Sequence, residues 1–66
     1  MELLINGQAT ELPAGLTARQ LMERLDLAGT RIALEVNGEI VPRSAYAEHR
    51  LRDGDKVEIV HAIGGG

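Results

Sequence analysis

Lys56-Val57-Glu58-Ile59-Val60-His61-Ala62-Ile63-Gly64-Gly65-Gly66 decides the reading of this chain, because an alternating apolar strand runs into three glycines with no turn between them. The spacing predicts a strand over Lys56 to Ile63, with Val57 and Ile59 on one face and Glu58, Val60 and Ala62 on the other. Gly64, Gly65 and Gly66 carry no Cβ, so they accept nearly any backbone conformation and pass through a channel too narrow for other residues. At about 3.3 to 3.6 Å per extended residue, three glycines carry a terminal carboxylate roughly 10 Å past the strand. The carboxylate of Gly66 is therefore the candidate reactive group, with Gly64 and Gly65 as its lead. A frayed end or an appended glycine linker is the competing explanation.

Working back from that strand, Asp53-Gly54-Asp55 is a turn, and the mostly polar segment from Arg43 to Arg52 reads as a short helical turn and a loop after Pro42. Two Asn-Gly pairs, Asn6-Gly7 and Asn37-Gly38, supply the positive φ angles of tight hairpins. The first joins Leu3 to Ile5 with Gln8 to Leu12, and the second joins Ile32 to Val36 with Glu39 to Val41. Between the hairpins, Thr17 and Gln20 form a Thr-x-x-Gln capping box, with Leu16 and Leu21 placed as a hydrophobic staple. Ala18, Leu21, Met22 and Leu25 make the apolar stripe of the helix that follows, and Gly29 is its expected C-terminal cap. The order is β-β-α-β-β-β: an α+β fold with a mixed sheet of about five strands and one main helix packed on one face. Residues 1–63 form the domain and 64–66 the glycine tail.

One helix covers only one face of such a sheet. Alternation turns Leu3, Ile5, Ile32, Leu34, Val36, Val57 and Ile59 inward, and leaves Leu4, Ala33, Glu35, Glu58, Val60 and Ala62 on the open face. Leu4, Val60 and Ala62, with Ile63, are either ordinary scattered surface residues or, if clustered beside the tail, a docking patch.

Sixty-six residues make one small domain, near the size at which a core alone is marginally stabilising and too small for a deep enzymatic pocket. Nine leucines, five isoleucines and four valines are enough apolar mass for a folded chain. A net charge of −3 and a single aromatic, Tyr46, argue against nucleic-acid binding, which needs a cationic excess and stacking rings. Anionic membrane surfaces repel such a chain, and no apolar run approaches a membrane span, so a cytoplasmic location is expected. Without cysteine there is no disulfide, thiolate metal site or thiol nucleophile, so any acyl or sulfur chemistry must use another group.

Other constellations carry little chemistry. His49 and His61 lie twelve positions apart in different elements and lack zinc-ligand spacing. Asp53 and Asp55 lack the remaining ligands of a calcium loop, and Ser44 lacks a nucleophile elbow. Arg43, Arg50 and Arg52 are interrupted by Glu48 and followed by acids, the pattern of a solvated mixed-charge loop. No metal ligand or catalytic side chain is nominated.

A β-β-α-β-β-β chain whose last strand runs into Gly-Gly resembles the ubiquitin-like β-grasp family and, more narrowly, the ThiS/MoaD family of sulfur carriers. The resemblance covers essentially the whole chain. It is carried by Met1 to Gly7, by the helix after Leu16-Thr17, by Val36-Asn37-Gly38-Glu39-Ile40-Val41-Pro42-Arg43 and by Asp53 to Gly66. It implies a carrier with no cofactor of its own, acted on by partner enzymes. An E1-like adenylyltransferase of the ThiF type uses ATP to adenylate the position matching Gly66, and a persulfide relay such as a cysteine desulfurase replaces the adenylate to leave a thiocarboxylate. A thiazole synthase of the ThiG type then takes the sulfur for thiamine. A sister carrier feeding molybdopterin, cysteine or tRNA thiolation, and a non-catalytic β-grasp interaction module, are the alternatives. Ordering a three-residue tail costs on the order of 3 to 6 kcal/mol, which glycines offset little by burial, so the folded body is expected to contribute to docking.

Overall fold

A computed structural model of the chain describes residues 1–61. Asn6 and Asn37 stand at φ 49° and 53°, each followed by a glycine at positive φ, as two-residue type I′ connections require. These turns close two antiparallel hairpins, β1 (Glu2–Ile5) with β2 (Gln8–Glu11) and β3 (Ile32–Val36) with β4 (Glu39–Val41). Strand β5 (Lys56–His61) lies between them, parallel to β1 and antiparallel to β3, giving the sheet order β2-β1-β5-β3-β4. The mixed five-stranded sheet and the element order expected from the sequence are those observed.

Helix α1 (Ala18–Arg24) begins at the Thr17 capping box. The Thr17 hydroxyl accepts from Gln20 N at 3.1 Å, and the Gln20 carboxamide oxygen accepts from Thr17 N at 2.9 Å. The preceding two helical amides also have partners, because Ala18 N donates to His49 O and Arg19 N to Tyr46 O. The segment after β4, which opens with a 3₁₀ turn at Arg43–Ala45, thus docks onto the start of α1. Thr17→Ala is expected to cost about 1 kcal/mol. In a domain this small that lowers Tm by roughly 4 to 8 °C, read by thermal circular dichroism.

The far end of α1 departs from expectation. Asp26, not Gly29, provides the left-handed residue, at φ 59°. Leu27 N donates to Met22 O at 2.8 Å and Asp26 N to Glu23 O at 3.1 Å, the paired bonds of a Schellman ending. The reversal packs Leu27 against the core and leaves Leu25, expected on the buried stripe, 37% exposed. Gly29 instead occupies the next turn, closed by Thr30 N to Leu27 O.

Ala18, Leu21 and Met22 of the helix meet Leu3, Leu34, Val36, Val41, Val57 and Ile59 of the sheet in one core, closed by Leu16 and Leu51. Ile5 and Ile32, also expected inward, pack at its margin.

Candidate functional site

The central strand carries the candidate site. β5 is held on one side by β3, with register Ala33↔Val60, Leu34↔Ile59 and Glu35↔Glu58, and on the other by β1, with Leu4↔Lys56 and Ile5↔Val57. Val57 and Ile59 sink into the core and anchor the strand, which is still paired with β3 at His61, the last described residue. Ala62, Ile63, Gly64, Gly65 and Gly66 lie outside the described residues.

The open face bears Val60 at 53% exposure beside exposed Ala33, with the Glu35↔Glu58 pair two positions away on the same face. Leu4 is also exposed, at 39%, but it does not join Val60. The parallel register sets it beside Lys56, four residues back along β5, or roughly 13 Å at about 3.3 Å per residue. In place of a single cluster there are therefore two separate apolar points with Glu58 between their positions along the strand. Ile40, 71% exposed, was missed by the face assignment made from alternation. Its signal was present: a two-residue turn at Asn37-Gly38 pairs Ile40 with Glu35, and Glu35 was already placed outward.

The remaining sequence candidates serve the fold. Asp53 Oδ1 accepts from Glu2 N at 2.6 Å, and Asp55 accepts from Arg52 N at 2.8 Å and from Asn37 Nδ2 at 3.0 Å. Both carboxylates are turn clamps. Arg43 and Arg50 donate to the backbone oxygens of Thr30 and Gly15. Among the described residues no group of three or more His, Cys, Asp or Glu side chains is placed to hold a metal, and no helix is long and apolar enough to cross a membrane. Two surface grooves, of about 810 and 430 Å³, are lined by other elements and take in no residue of β5.

Among the described residues, a five-stranded mixed sheet with β5 at its centre, packed against α1, has the ubiquitin-like β-grasp architecture. The ThiS family model matches residues 3–66. The sulfur carrier protein ThiS of Escherichia coli is 41% identical over 66 residues, the full length of both chains. A crystal structure of the thiamine biosynthesis protein ThiS from Geobacter metallireducens superimposes with a TM-score of 0.88 at 32% identity, covering all of both chains. A thiazole synthase of Paramagnetospirillum magneticum is 46% identical over the same 66 residues, which are 20% of its length. The chain thus spans all of some relatives and about a fifth of others. It belongs to the ThiS family, the sulfur carrier proteins of thiamine biosynthesis, and is a carrier, not a catalyst.

Proposed function

We propose that Gly66 is the sulfur-bearing residue and that its carboxylate cycles between acid, acyl-adenylate and thiocarboxylate. The observation that supports this reading is the seating of β5 at the centre of the sheet, followed five residues after His61 in the sequence by Gly66. A free carboxylate is a poor acyl electrophile. An ATP-dependent adenylyltransferase of the ThiF type lets a Gly66 oxygen attack the α-phosphorus and expel pyrophosphate, which creates AMP as a leaving group. A persulfide sulfur, supplied by a cysteine desulfurase relay, then displaces AMP, and thiol cleavage of the resulting S–S bond leaves the thiocarboxylate. Glycine suits the reacting position because no Cβ crowds the attack on its carbonyl. ATP is the partner's cofactor, and the cytoplasm is the compartment this chemistry implies.

The final acceptor in this proposal is a thiazole synthase of the ThiG type. Relatives of that name in Paramagnetospirillum magneticum and Magnetococcus marinus carry a region matching this whole chain, which supports close association of the two functions. The domain is taken as residues 1–63 and the functional tail as 64–66, with Ala62 and Ile63 joining the docking region at the base of the tail.

Docking on the adenylyltransferase is assigned to the open face around Val60 and Ala33, with Leu4 as a separate outlying contact. Glu35 and Glu58 face one another across β3 and β5, and like charges so placed are mutually unfavourable. A partner surface pairing an apolar patch with a cationic group relieves that repulsion on binding. Val60→Asp leaves the fold intact, since Val60 points away from the core. It is expected to raise KM for the carrier in adenylation about tenfold or more, as burying an unpaired carboxylate in an interface does. Unchanged kinetics would remove Val60 from the interface.

The central test is intact-mass spectrometry of the chain after incubation with ATP, the adenylyltransferase and a persulfide donor. The expected product carries one sulfur in place of one oxygen, located at Gly66 by fragmentation. Absence of any adenylate on the purified chain would refute the assignment.

A further inference from the structure

We propose that Asn6 is a positioning residue for the C-terminal carrier segment: its carboxamide fixes the backbone of β5 at Ile59, two residues before the last described residue. The proposal rests on the carrier reading above and deepens it.

The side of β5 that faces β1 is supported for only part of its length. Backbone bonds run from Leu4 N to Asp55 O at 3.0 Å and from Asn6 N to Val57 O at 2.9 Å. The next residue of β5 facing that side is Ile59, yet β1 has ended at Ile5 and the chain has turned away through Asn6-Gly7. The Asn6 side chain supplies the missing rung. Its Oδ1 accepts from Ile59 N at 2.8 Å and its Nδ2 donates to Ile59 O at 3.3 Å. One carboxamide thus stands in for a strand residue, satisfying both backbone groups of a residue whose side chain is buried. Beyond Ile59 only β3 flanks the described strand, through Ala33↔Val60 and Ile32↔His61. Among the described residues Asn6 is therefore the last support of β5 on the β1 side.

The second Asn-Gly turn performs the same service at the other end of β5. Asn37 Oδ1 accepts from Lys56 N at 3.0 Å, and Asn37 N donates to Lys56 O at 2.7 Å. Both asparagines hold left-handed turn conformations and both clamp β5 with the carboxamide, one at the strand's entry and one near its exit. This symmetry provides an internal control. If the clamps served stability alone, losing either would have the same consequence. Only the Asn6 clamp lies near the end from which Gly66 must be presented, and the chain from Ile59 to Gly66 can span roughly 23 Å at about 3.3 Å per residue. Without the clamp, Ile59, Val60 and His61 are held on the β3 side alone, so the base from which the tail starts is less fixed.

The test compares Asn6→Gly with Asn37→Gly, because glycine preserves the positive φ of each turn and removes only the carboxamide. Adenylation by the partner enzyme is measured with the full chain as substrate, alongside thermal unfolding and amide exchange at Ile59 and Val60. Asn6→Gly is expected to raise KM for the carrier about tenfold with kcat little changed, because a less pre-organised carrier segment pays more ordering on binding in ground state and transition state alike. It should also speed exchange at Ile59, whose N–H donates to Asn6 Oδ1. Asn37→Gly should lower Tm similarly and leave KM within about twofold of the parent. Asn6→Asp, which keeps the acceptor for Ile59 N and loses the donor to Ile59 O, should fall between the parent and Asn6→Gly. Equal KM for the two glycine variants, or a KM that simply follows Tm, would overturn the positioning role. If the parent chain itself forms no adenylate, it is the carrier reading that fails.

Discussion

Deleting Gly65 and Gly66 is expected to abolish adenylate and thiocarboxylate formation while leaving the thermal unfolding curve of the domain in place. Every core residue, from Leu3 to Ile59, precedes the deletion, as do both hairpin turns and the Thr17 cap, so the energetics of folding do not pass through the lost residues. Chemistry does pass through them. The truncated chain still ends in a carboxylate, but one set back by two residues, roughly 7 Å at about 3.3 to 3.6 Å each. A displacement far smaller than this already costs about a hundredfold in rate when reacting atoms must lie about 3 Å apart. A graded companion is Gly65→Val, which keeps the length and adds a branched side chain. It restricts the backbone and demands space in the partner's channel, so it should lose most activity through KM. Adenylation of the truncated chain at the parental rate would show that the acceptor is elsewhere, and would dispose of the carrier mechanism assigned to Gly66.

The parts of this fold written in adjacent residues were legible from the sequence. Asn6-Gly7 and Asn37-Gly38 specify their turns through φ values that few other pairs accept. Thr17 and Gln20 specify the helix start through two reciprocal bonds. The helix end was harder, because Asp26 and Gly29 both stand at positive φ. Glycine is the better intrinsic choice, but the bond from Leu27 N to Met22 O selects Asp26, and that choice exchanges Leu25 for Leu27 at the core. Propensity alone could not weigh that closure.

Long-range register was the larger gap. Alternation told which face Leu4 and Val60 occupy, and both are on the open one. It could not tell how far along β5 the first strand reaches, since parallel pairing between strands separated by the whole chain has no local signature. The same gap hid Asn6 as anything more than a turn residue. Its bonds to Ile59 span 53 positions and exist only because β1 stops short of the end of β5. The glycine tail was the opposite case: its chemistry is argued from composition and family, and its positions fall outside the described residues.

Leu34→Ala is expected to be the most destabilising single substitution considered, removing most of the domain's stability. Leu34 has no exposed surface and stands in β3, opposite Ile59 of the central strand on one side and Val41 of β4 on the other. Truncating a fully buried leucine costs about 2 to 5 kcal/mol, combining lost transfer energy with the cavity left behind. A chain of 66 residues at about 0.05 to 0.15 kcal/mol per residue has only roughly 3 to 10 kcal/mol to lose. No disulfide is available to hold the sheet together, because the chain has no cysteine. Tm should fall by roughly 8 to 40 °C, at about 4 to 8 °C per kcal/mol for a domain of this size. Urea unfolding should show a lower midpoint with the slope preserved. Leu4→Ala supplies the contrast: Leu4 lies on the opposite, open face of the sheet, in β1, and its loss should cost under about 0.5 kcal/mol. At low temperature the folded fraction of Leu34→Ala should still be adenylated with a normal KM, because β5 and its bonds to Asn6 remain within it. A cost below about 1 kcal/mol for Leu34→Ala would contradict the core described for this sheet.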